Sequence, residues 1–200
     1  MKSSLVAAAL ALSSALALAQ TPAAPTERLC GSVVSFDGRT LVMKERSGPT
    51  VTLSLDEKFA VNDGGPIEVG AIKSGSYIGT AAQAQPDGSL RALEVLVFPE
   101  PQRGIGEGHR PWDLEPGSTM TNATVAELAA QPQGRTLKLR YKDGEKTVIV
   151  PDGVPIVTFA PGDASLLVPG AKVIVTATQR DGKPVALRTS AGRNGFAPPM

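Results

Sequence analysis

The chain has 200 residues, and its 20 basic and 19 acidic side chains leave a formal net charge of +1. A nearly neutral chain has no global electrostatic field to attract nucleic acid or an anionic membrane surface, so neither is an expected partner. The sequence also contains one cysteine and one histidine. These counts exclude an internal disulfide and leave few ligands for a transition-metal site.

The first segment of the chain is a predicted signal peptide, residues 1–19. Lys2 gives it a positive start, residues 5–18 are apolar apart from two serines, and residues 17–19 (Ala-Leu-Ala) form the small-x-small pattern that precedes a cleavage site. The apolar run is too short to span a bilayer stably. We therefore expect export to the periplasm and a soluble mature chain that begins at Gln20, with an uncleaved anchor as the alternative.

A stretch rich in Pro and Ala, residues 20–28, is typical of a flexible tether. The first predicted β-module follows over residues 29–98. It contains an Asp-Gly pair at residues 37–38, which is a strong hairpin signal. Residues 51–55 alternate between apolar and polar side chains, as a half-buried strand requires. Together with further turn signals, these patterns indicate five short strands.

The second predicted β-module, residues 121–190, repeats the first. The sequence Gly-Arg-Thr-Leu at residues 38–41 returns 96 positions later at residues 134–137. Residues 137–142 then alternate strictly between apolar and basic side chains, which predicts a strand with one buried face. Spaced repetition of this kind indicates a duplicated module.

Helical periodicity is nearly absent outside the signal peptide, and short alternating runs are separated by Gly and Pro, so the predicted fold class is all-β. Five strands in each module favour a small closed barrel of OB type, because closure removes exposed strand edges. The sequence therefore predicts two tandem small OB-like β-barrels joined by a Gly/Pro-rich linker, with residues 191–200 as a C-terminal tail. A small open sandwich is the alternative.

The linker, residues 99–120, is here called the joint, and it contains the only histidine and the only tryptophan of the chain. One interpretation is that Trp112 buries its ring between the two modules while nearby charges pair locally. The other is that the joint lines a ligand pocket between domains, where binding sites are common. The side chains that would line such a pocket are Arg103, Glu107, His109, Arg110, Trp112 and Asp113.

Catalysis and metal binding are not expected. His109 is the only histidine base, and Cys30, the only thiol, has no local nucleophile motif around it. We expect Cys30 to be a buried small hydrophobe, with a disulfide-linked dimer as the alternative. The basic residues of the second module lack interleaved exposed aromatics, so a solvated strand face is favoured over polyanion binding. These basic residues are Arg135, Lys138, Arg140, Lys142 and Lys146.

Three segments of the chain are specific enough to compare: most of residues 103–125 in the joint, the sequence Tyr-Lys-Asp-Gly-Glu-Lys at residues 141–146, and the closing Pro-Pro-Met at residues 198–200. On these segments, the chain resembles a family of exported proteobacterial proteins of unknown function. The resemblance covers nearly all of the mature chain, and the joint is its most specific part. The resemblance implies tandem small β-barrels. Members are often labelled "metal ABC transporter permease", but this sequence has no segments for a membrane-spanning bundle.

These observations favour an exported soluble protein that binds rather than catalyses, without a cofactor. Its partner would be an envelope protein or a small ligand, and the sequence does not identify either. The alternative is a structural or stress-related envelope protein that has no small-molecule ligand.

Overall fold

A computed structural model describes residues 25–192 and 196–197 of the chain. The predicted signal peptide and most of the predicted C-terminal tail lie outside these described residues. Twelve strands in the described part form one continuous sheet. The strands are β1 (Thr26–Phe36), β2 (Thr40–Glu45), β3 (Thr50–Pro66), β4 (Tyr77–Ala84), β5 (Leu90–Val97), β6 (Gly108–Pro111), β7 (Thr119–Gln131), β8 (Gly134–Tyr141), β9 (Gly144–Pro151), β10 (Ile156–Pro161), β11 (Lys172–Arg180) and β12 (Lys183–Gly192). Three short 3-10 turns span Val69–Ala71, Glu100–Gln102 and Ala164–Leu166.

The predicted hairpin turns form through side-chain contacts with the backbone. At the end of β1, the Asp37 carboxylate accepts the backbone N–H groups of Arg39 and Thr40 at 2.8 and 2.7 Å. Gly38 follows with a φ of 90°, a conformation that favours glycine. The Asp-Gly signal therefore sets the β1–β2 hairpin as the sequence predicts.

Five strands close into a mixed barrel in the order β1–β2–β3–β12–β11, and β11 returns to β1. The closing contact is parallel and runs from the pair Val185 and Ser54 to the pair Gly192 and Gly64. The barrel surrounds its own core, in which Leu41, Met43 and Leu53 are fully buried. The barrel therefore combines three strands from the start of the chain with two from its end.

The remaining strands build what we call the inserted unit, made of β4, β5, β7, β8 and β9. Its strands pair in the order β5–β4–β7–β8–β9, and it has a separate core that includes Ile78, Leu137 and Leu139. Contact between β5 and β9 is reduced to two residue pairs. In the chain, this unit lies between β3 and β11, so it is inserted between the two parts of the barrel.

The all-β prediction and the presence of a β-barrel are confirmed. The strand pairing differs from the tandem arrangement, because neither residues 29–98 nor residues 121–190 close on themselves. Residues 29–98 give β1, β2 and β3 to the barrel and β4 and β5 to the inserted unit. Residues 121–190 give β7, β8 and β9 to the inserted unit and β11 and β12 to the barrel. The physical reason is that both copies carry the same strand pattern, so a hairpin from either copy can fill the same place in the sheet. Local periodicity therefore does not specify which copy supplies the hairpin that closes the barrel.

β10 joins the barrel to the inserted unit. It pairs antiparallel with the end of β3, from Val157 opposite Pro66 to Pro161 opposite Asn62, and parallel with β5. A Cβ at Gly64 would meet the Phe159 ring at 2.9 Å, so glycine permits the close approach of these two strands. The two groups of strands therefore share one hydrogen-bonded sheet.

The shared sheet predicts that the barrel and the inserted unit unfold together. Leu41 and Leu137 occupy corresponding places in the repeat and are both fully buried, one in each core. We expect Leu41→Ala and Leu137→Ala each to lower the free energy of unfolding by about 2–5 kcal/mol. Both substitutions should shift a single transition in differential scanning calorimetry. Two separated transitions, each moved by one substitution alone, would contradict this coupling.

Candidate functional site: the joint and the cleft beside it

The joint is an ordered strap on the inserted unit. It begins with the 3-10 turn Glu100–Gln102 and continues into β6, which pairs antiparallel with β7 from Gly108 opposite Asn122 to Pro111 opposite Thr119. The backbone N–H of Trp112 then donates to the Ser118 carbonyl at 2.8 Å. These main-chain bonds fix where each predicted site residue lies.

Arg103 anchors the start of the joint. Its guanidinium forms two bonds with the Glu100 carboxylate, Nε to Oε1 at 2.6 Å and Nη2 to Oε2 at 2.9 Å, and Nη2 also donates to the Gly75 carbonyl at 2.9 Å. It lies above the Tyr77 ring, with Cζ 5.9 Å from the ring centroid. Because its donors are occupied by the protein itself, Arg103 has a positioning role.

The middle of the joint is held by its own backbone carbonyl groups. The Ile105 carbonyl accepts from the Tyr77 hydroxyl at 3.2 Å and from Asn122 Nδ2 at 3.0 Å. Arg110 Nη1 donates to the Gly106 carbonyl at 2.8 Å. The Glu107 carboxylate accepts the backbone N–H of Lys142 at 3.0 Å. Asn122 therefore ties the strap to β7, Glu107 ties it to the residue after β8, and Arg110 closes a turn within the strap.

His109 lies on β6, opposite Thr121 of β7. Its Nδ1 is 2.8 Å from the Thr121 hydroxyl oxygen. Burial lowers the pKa of His109 below its ordinary value, and the positive charge of Lys146 lowers it further. The imidazole is therefore neutral at pH 7. Its partner Thr121 is fully buried, so a substrate does not reach that hydroxyl.

Trp112 connects the joint to the barrel. Its half-buried ring lies between two guanidinium groups, with Arg28 Cζ 4.1 Å and Arg110 Cζ 5.4 Å from the ring centroid. Arg28, which belongs to β1, also forms a salt bridge with the Asp113 carboxylate. The structure thus brings together Arg110, Trp112 and Asp113 around Arg28, whereas Arg103, Glu107 and His109 lie elsewhere along the strap.

Two residues of this site are absent from the sequence prediction. Arg28 falls in the predicted tether, and no local pattern indicates that it begins a strand facing the joint. Glu94 lies on β5 and is 8% exposed. Burial raises the pKa of Glu94 to about 7, and the nearby charge of Arg28 opposes this shift. The sequence did contain a signal for Glu94, because it is a charged residue within the mainly apolar run of residues 90–98.

A cleft of about 400 Å³ opens beside Arg28, between β1, the β2–β3 turn and the joint. The residues that line it are Arg28, Cys30, Glu45, Arg46, Ser47, Asp113 and Leu114. Arg46 forms no salt bridge with any residue between 25 and 192, whereas Arg28 is paired with Asp113. The Ser47 hydroxyl donates to the Glu45 carboxylate at 3.0 Å. The Arg46 guanidinium interacts with the Cys30 side chain at the cleft wall, but no described carboxylate neutralises its charge.

Cys30 is half-buried at the wall of this cleft, so the predicted full burial of its thiol is not observed. Burial raises the pKa of the Cys30 thiol, and the charges of Arg28 and Arg46 offset part of that shift. The thiol is consequently protonated at neutral pH and is a weak nucleophile.

One of the basic residues of the second module, Lys138, has carboxylate partners. Lys138 lies between two carboxylates, with Nζ 3.7 Å from Glu127 Oε1 and 3.4 Å from Glu145 Oε1. Within residues 25–192 and 196–197, no group of three or more His, Cys, Asp or Glu side chains is arranged to hold a metal ion. Over the same residues, no helix has the length and apolar character needed to cross a membrane.

Comparison of the chain with known protein families, with curated proteins and with solved structures finds no match. The resemblance of the joint to an exported protein family therefore stays a prediction.

Titration of Glu94 is expected to make stability depend on pH. Its ordinary value of 4.5 applies to the unfolded chain and the value of about 7 to the folded protein. The folded state therefore binds more protons than the unfolded state between these values, and stability falls as the pH rises through that window. Urea denaturation at pH 4.5 and pH 8 should show Glu94→Gln gaining stability relative to the wild type at pH 8, on the order of 3 kcal/mol. The exposed control Glu57→Gln should not change the pH profile, and an unaltered profile in Glu94→Gln would contradict the assignment.

Trp112 and Arg28 should be energetically coupled. Trp112→Ala is expected to lower the free energy of unfolding by about 2 kcal/mol, less than the 3 kcal/mol or more of a fully buried ring, because the side chain is half-buried. A double-mutant cycle with Arg28→Gln should give a coupling energy of about 1 kcal/mol from the stacked contact. The same cycle with Arg39→Gln, a distant exposed arginine, should give zero. A coupling of zero for Arg28 as well would show that the stack does not join the joint to the barrel.

Proposed function

We propose that this protein is an exported, non-enzymatic binding or interaction protein that uses the cleft beside the joint. Its ligand would be a small carboxylate or phosphate compound, or the same group on an envelope protein. The observation that carries the proposal is Arg46, a guanidinium that lines a cleft of about 400 Å³ and forms no salt bridge with any described residue.

The chemistry of the cleft favours an anion. A guanidinium group presents a planar fork of donors that matches both carboxylate and phosphate oxygens. Arg28 adds a second positive charge at the same wall, although Asp113 already neutralises part of it. Leu114 supplies an apolar contact beside these charges. A small ligand with one anionic group and a short apolar part fits this combination.

The environments of His109 and Cys30, the side chains that hydrolysis would need, favour a binding role over catalysis. His109 contacts Thr121 and is neutral at pH 7, and Cys30 has a raised pKa. Neither side chain has the other as a hydrogen-bond partner among the described residues. A reaction by general base and nucleophile needs such a pair within reach of a substrate, and Thr121, the hydroxyl partner of His109, is fully buried.

Strand order supports an OB-like architecture for both groups of strands. In the barrel, three antiparallel strands are closed by a hairpin whose second strand runs parallel to the third. The inserted unit repeats this order, with β5 parallel to β9 over two pairs. OB-type barrels bind ligands through their loops and strand faces. The proposed cleft lies at such a place, beside the β2–β3 turn.

The location of the protein follows from the predicted signal peptide of residues 1–19, so periplasmic export belongs to the same proposal. A role as a permease would need membrane-spanning segments, and the sequence does not predict them after cleavage.

A second candidate is a structural envelope protein without a ligand. The contacts of Trp112 and Asp113 with Arg28 favour it, because they join the barrel to the inserted unit and need no ligand. Under this alternative, Arg46 would be a solvated surface residue.

Titration of the mature protein with inorganic phosphate and with succinate tests whether it is a ligand-binding protein or a structural protein. Trp112 is the only tryptophan and stacks on Arg28 at the wall of the cleft, so its fluorescence should report occupancy. We expect millimolar or tighter binding, at least tenfold weaker in Arg46→Gln, because loss of the guanidinium removes a charge-assisted bond worth about 1.5–3 kcal/mol. Arg39→Gln, on an exposed turn of the same barrel, should bind like the wild type. Equal affinity in both variants, or no binding up to tens of millimolar, would favour the structural alternative.

A further inference from the structure

Two lysines lie side by side on the outer face of the barrel. Lys44 of β2 and Lys172 of β11 are both directly opposite Ser32 of β1, one on each side. Directly opposite residues of a sheet point to the same face, so the two lysines flank the serine. This face is the outer one, because the neighbouring residues Met43 and Val173 are fully buried in the barrel core. We call these three residues the lysine row.

Arg46 lies on the same outer face, next to the lysine row. Its backbone N–H donates to the Cys30 carbonyl at 2.9 Å, which places Arg46 opposite Cys30, two residues before Ser32. Its guanidinium also interacts with the Cys30 side chain. Residues two apart in a strand point to the same face and are roughly 7 Å apart. The backbone position of Arg46 is therefore about one such step from the lysine row.

A cleft of about 450 Å³ lies over the lysine row, and we call it the lysine cleft. The residues that line it are Gly31, Ser32, Lys44, Glu45, Arg46, Lys172 and Ala197. It shares Glu45 and Arg46 with the cleft beside the joint, so the two clefts are contiguous along the barrel. Most of its exposed wall is carbon, as is expected where long basic side chains lie along a surface and keep only their charged ends in water.

The charges of the two contiguous clefts leave an excess of positive charge. The two lysines and Arg46 form no salt bridge with any residue that the structure describes. Among the described lining residues, two carry carboxylates, and one of these, Asp113, is already paired with Arg28. The other, Glu45, accepts the Ser47 hydroxyl. Three cations without a carboxylate partner therefore share this surface with one carboxylate.

In the inserted unit, the joint covers the corresponding row. That row consists of Tyr77, Thr124 and Arg140, which are directly opposite one another on β4, β7 and β8. These strands take the places that β11, β1 and β2 have in the barrel. Arg103 of the joint lies over the Tyr77 ring and donates to the Thr124 hydroxyl at 3.4 Å. In the barrel, both lysines of the row are exposed, so the face that is covered in one unit is accessible in the other.

The chemistry of this surface favours a chain of phosphate groups. Lysine ammonium groups bind phosphate as point charges, and a guanidinium matches phosphate oxygens with two parallel donors. The Ser32 hydroxyl adds a further donor between the lysines. None of the described residues that line the two clefts is aromatic, so the stacking platforms that single-stranded nucleic acid uses are missing there.

We propose that the two clefts together bind a compound with at least two phosphate groups, such as a short linear polyphosphate. One phosphate group lies between Lys44 and Lys172, over Ser32, and another lies at Arg46. Because these positions are roughly 7 Å apart along β1, the outer groups of a triphosphate chain reach both, whereas orthophosphate reaches one. The proposal rests on the function proposed above, since it extends the cleft that contains Arg46.

Calorimetric titration of the mature protein with orthophosphate and tripolyphosphate, in buffer without divalent cations, tests the proposal. We expect tripolyphosphate to bind at least tenfold more tightly than orthophosphate, because it forms charge-assisted bonds with Arg46 and with the lysine row at the same time. Raising the salt concentration should reduce this gain, because exposed charges are screened by ions.

Substitutions then locate the second phosphate group. Lys44→Gln combined with Lys172→Gln changes two exposed side chains, so the fold should tolerate it, and it should weaken tripolyphosphate binding at least tenfold. The control pair Lys58→Gln and Lys183→Gln removes the same charge from exposed positions of the same barrel. This control should bind tripolyphosphate like the wild type. The melting temperature checks that each variant is folded.

The outcomes separate this proposal from the one on which it rests. Orthophosphate binding that depends on Arg46, without a gain for tripolyphosphate, would overturn the proposal and leave the proposed function in place. Equal weakening in the control pair would overturn it as well, because general positive charge would then carry the affinity. So would tighter binding of a single-stranded oligonucleotide of matched charge. Absence of binding of orthophosphate, succinate and tripolyphosphate would overturn both proposals.

Discussion

The architecture depends on the parallel contact between β3 and β12. It closes the barrel by joining strands from opposite ends of the described chain, from the pair Val185 and Ser54 to the pair Gly192 and Gly64. The inserted unit lies within the loop that this contact closes, so its place in the sheet is fixed when the barrel is complete. Contacts of such high sequence separation carry a large loop-closure cost. A folded inserted unit reduces that cost, because it holds the ends of the loop near each other.

The joint adds a second connection between the barrel and the inserted unit. Arg28 of β1 meets Trp112 and Asp113 of the joint and lies near the buried carboxyl of Glu94. The cation near this buried carboxyl, Arg28, belongs to the barrel. Protonation of Glu94 therefore changes the electrostatic interaction between the barrel and the inserted unit. The same arginine faces the cleft that contains Arg46. Stability and its dependence on pH are therefore linked at one side chain, which also lines the cleft proposed to bind a ligand.

The joint, which forms one wall of the proposed ligand cleft, lies where the repeat is broken. It has no counterpart elsewhere in the described chain. In a duplicated fold, the shared positions form cores such as those around Leu41 and Leu137. Departures from the shared pattern are free to form clefts, since they are not needed to close the sheet.

The sequence by itself determined the all-β class, the turns and the strands that face each core. Alternation placed Leu137 and Leu139 inward, and Asp37 with Gly38 formed the expected hairpin, because these features depend on neighbours in the chain. Tertiary structure alone decided which hairpin closes the barrel. The two copies carry equivalent strand patterns, so local sequence does not distinguish between them. Tertiary structure also decided that Arg28 of β1 lies close enough to Glu94 of β5 to affect its pKa, because β1 and β5 are distant in the chain and come together only through the shared sheet.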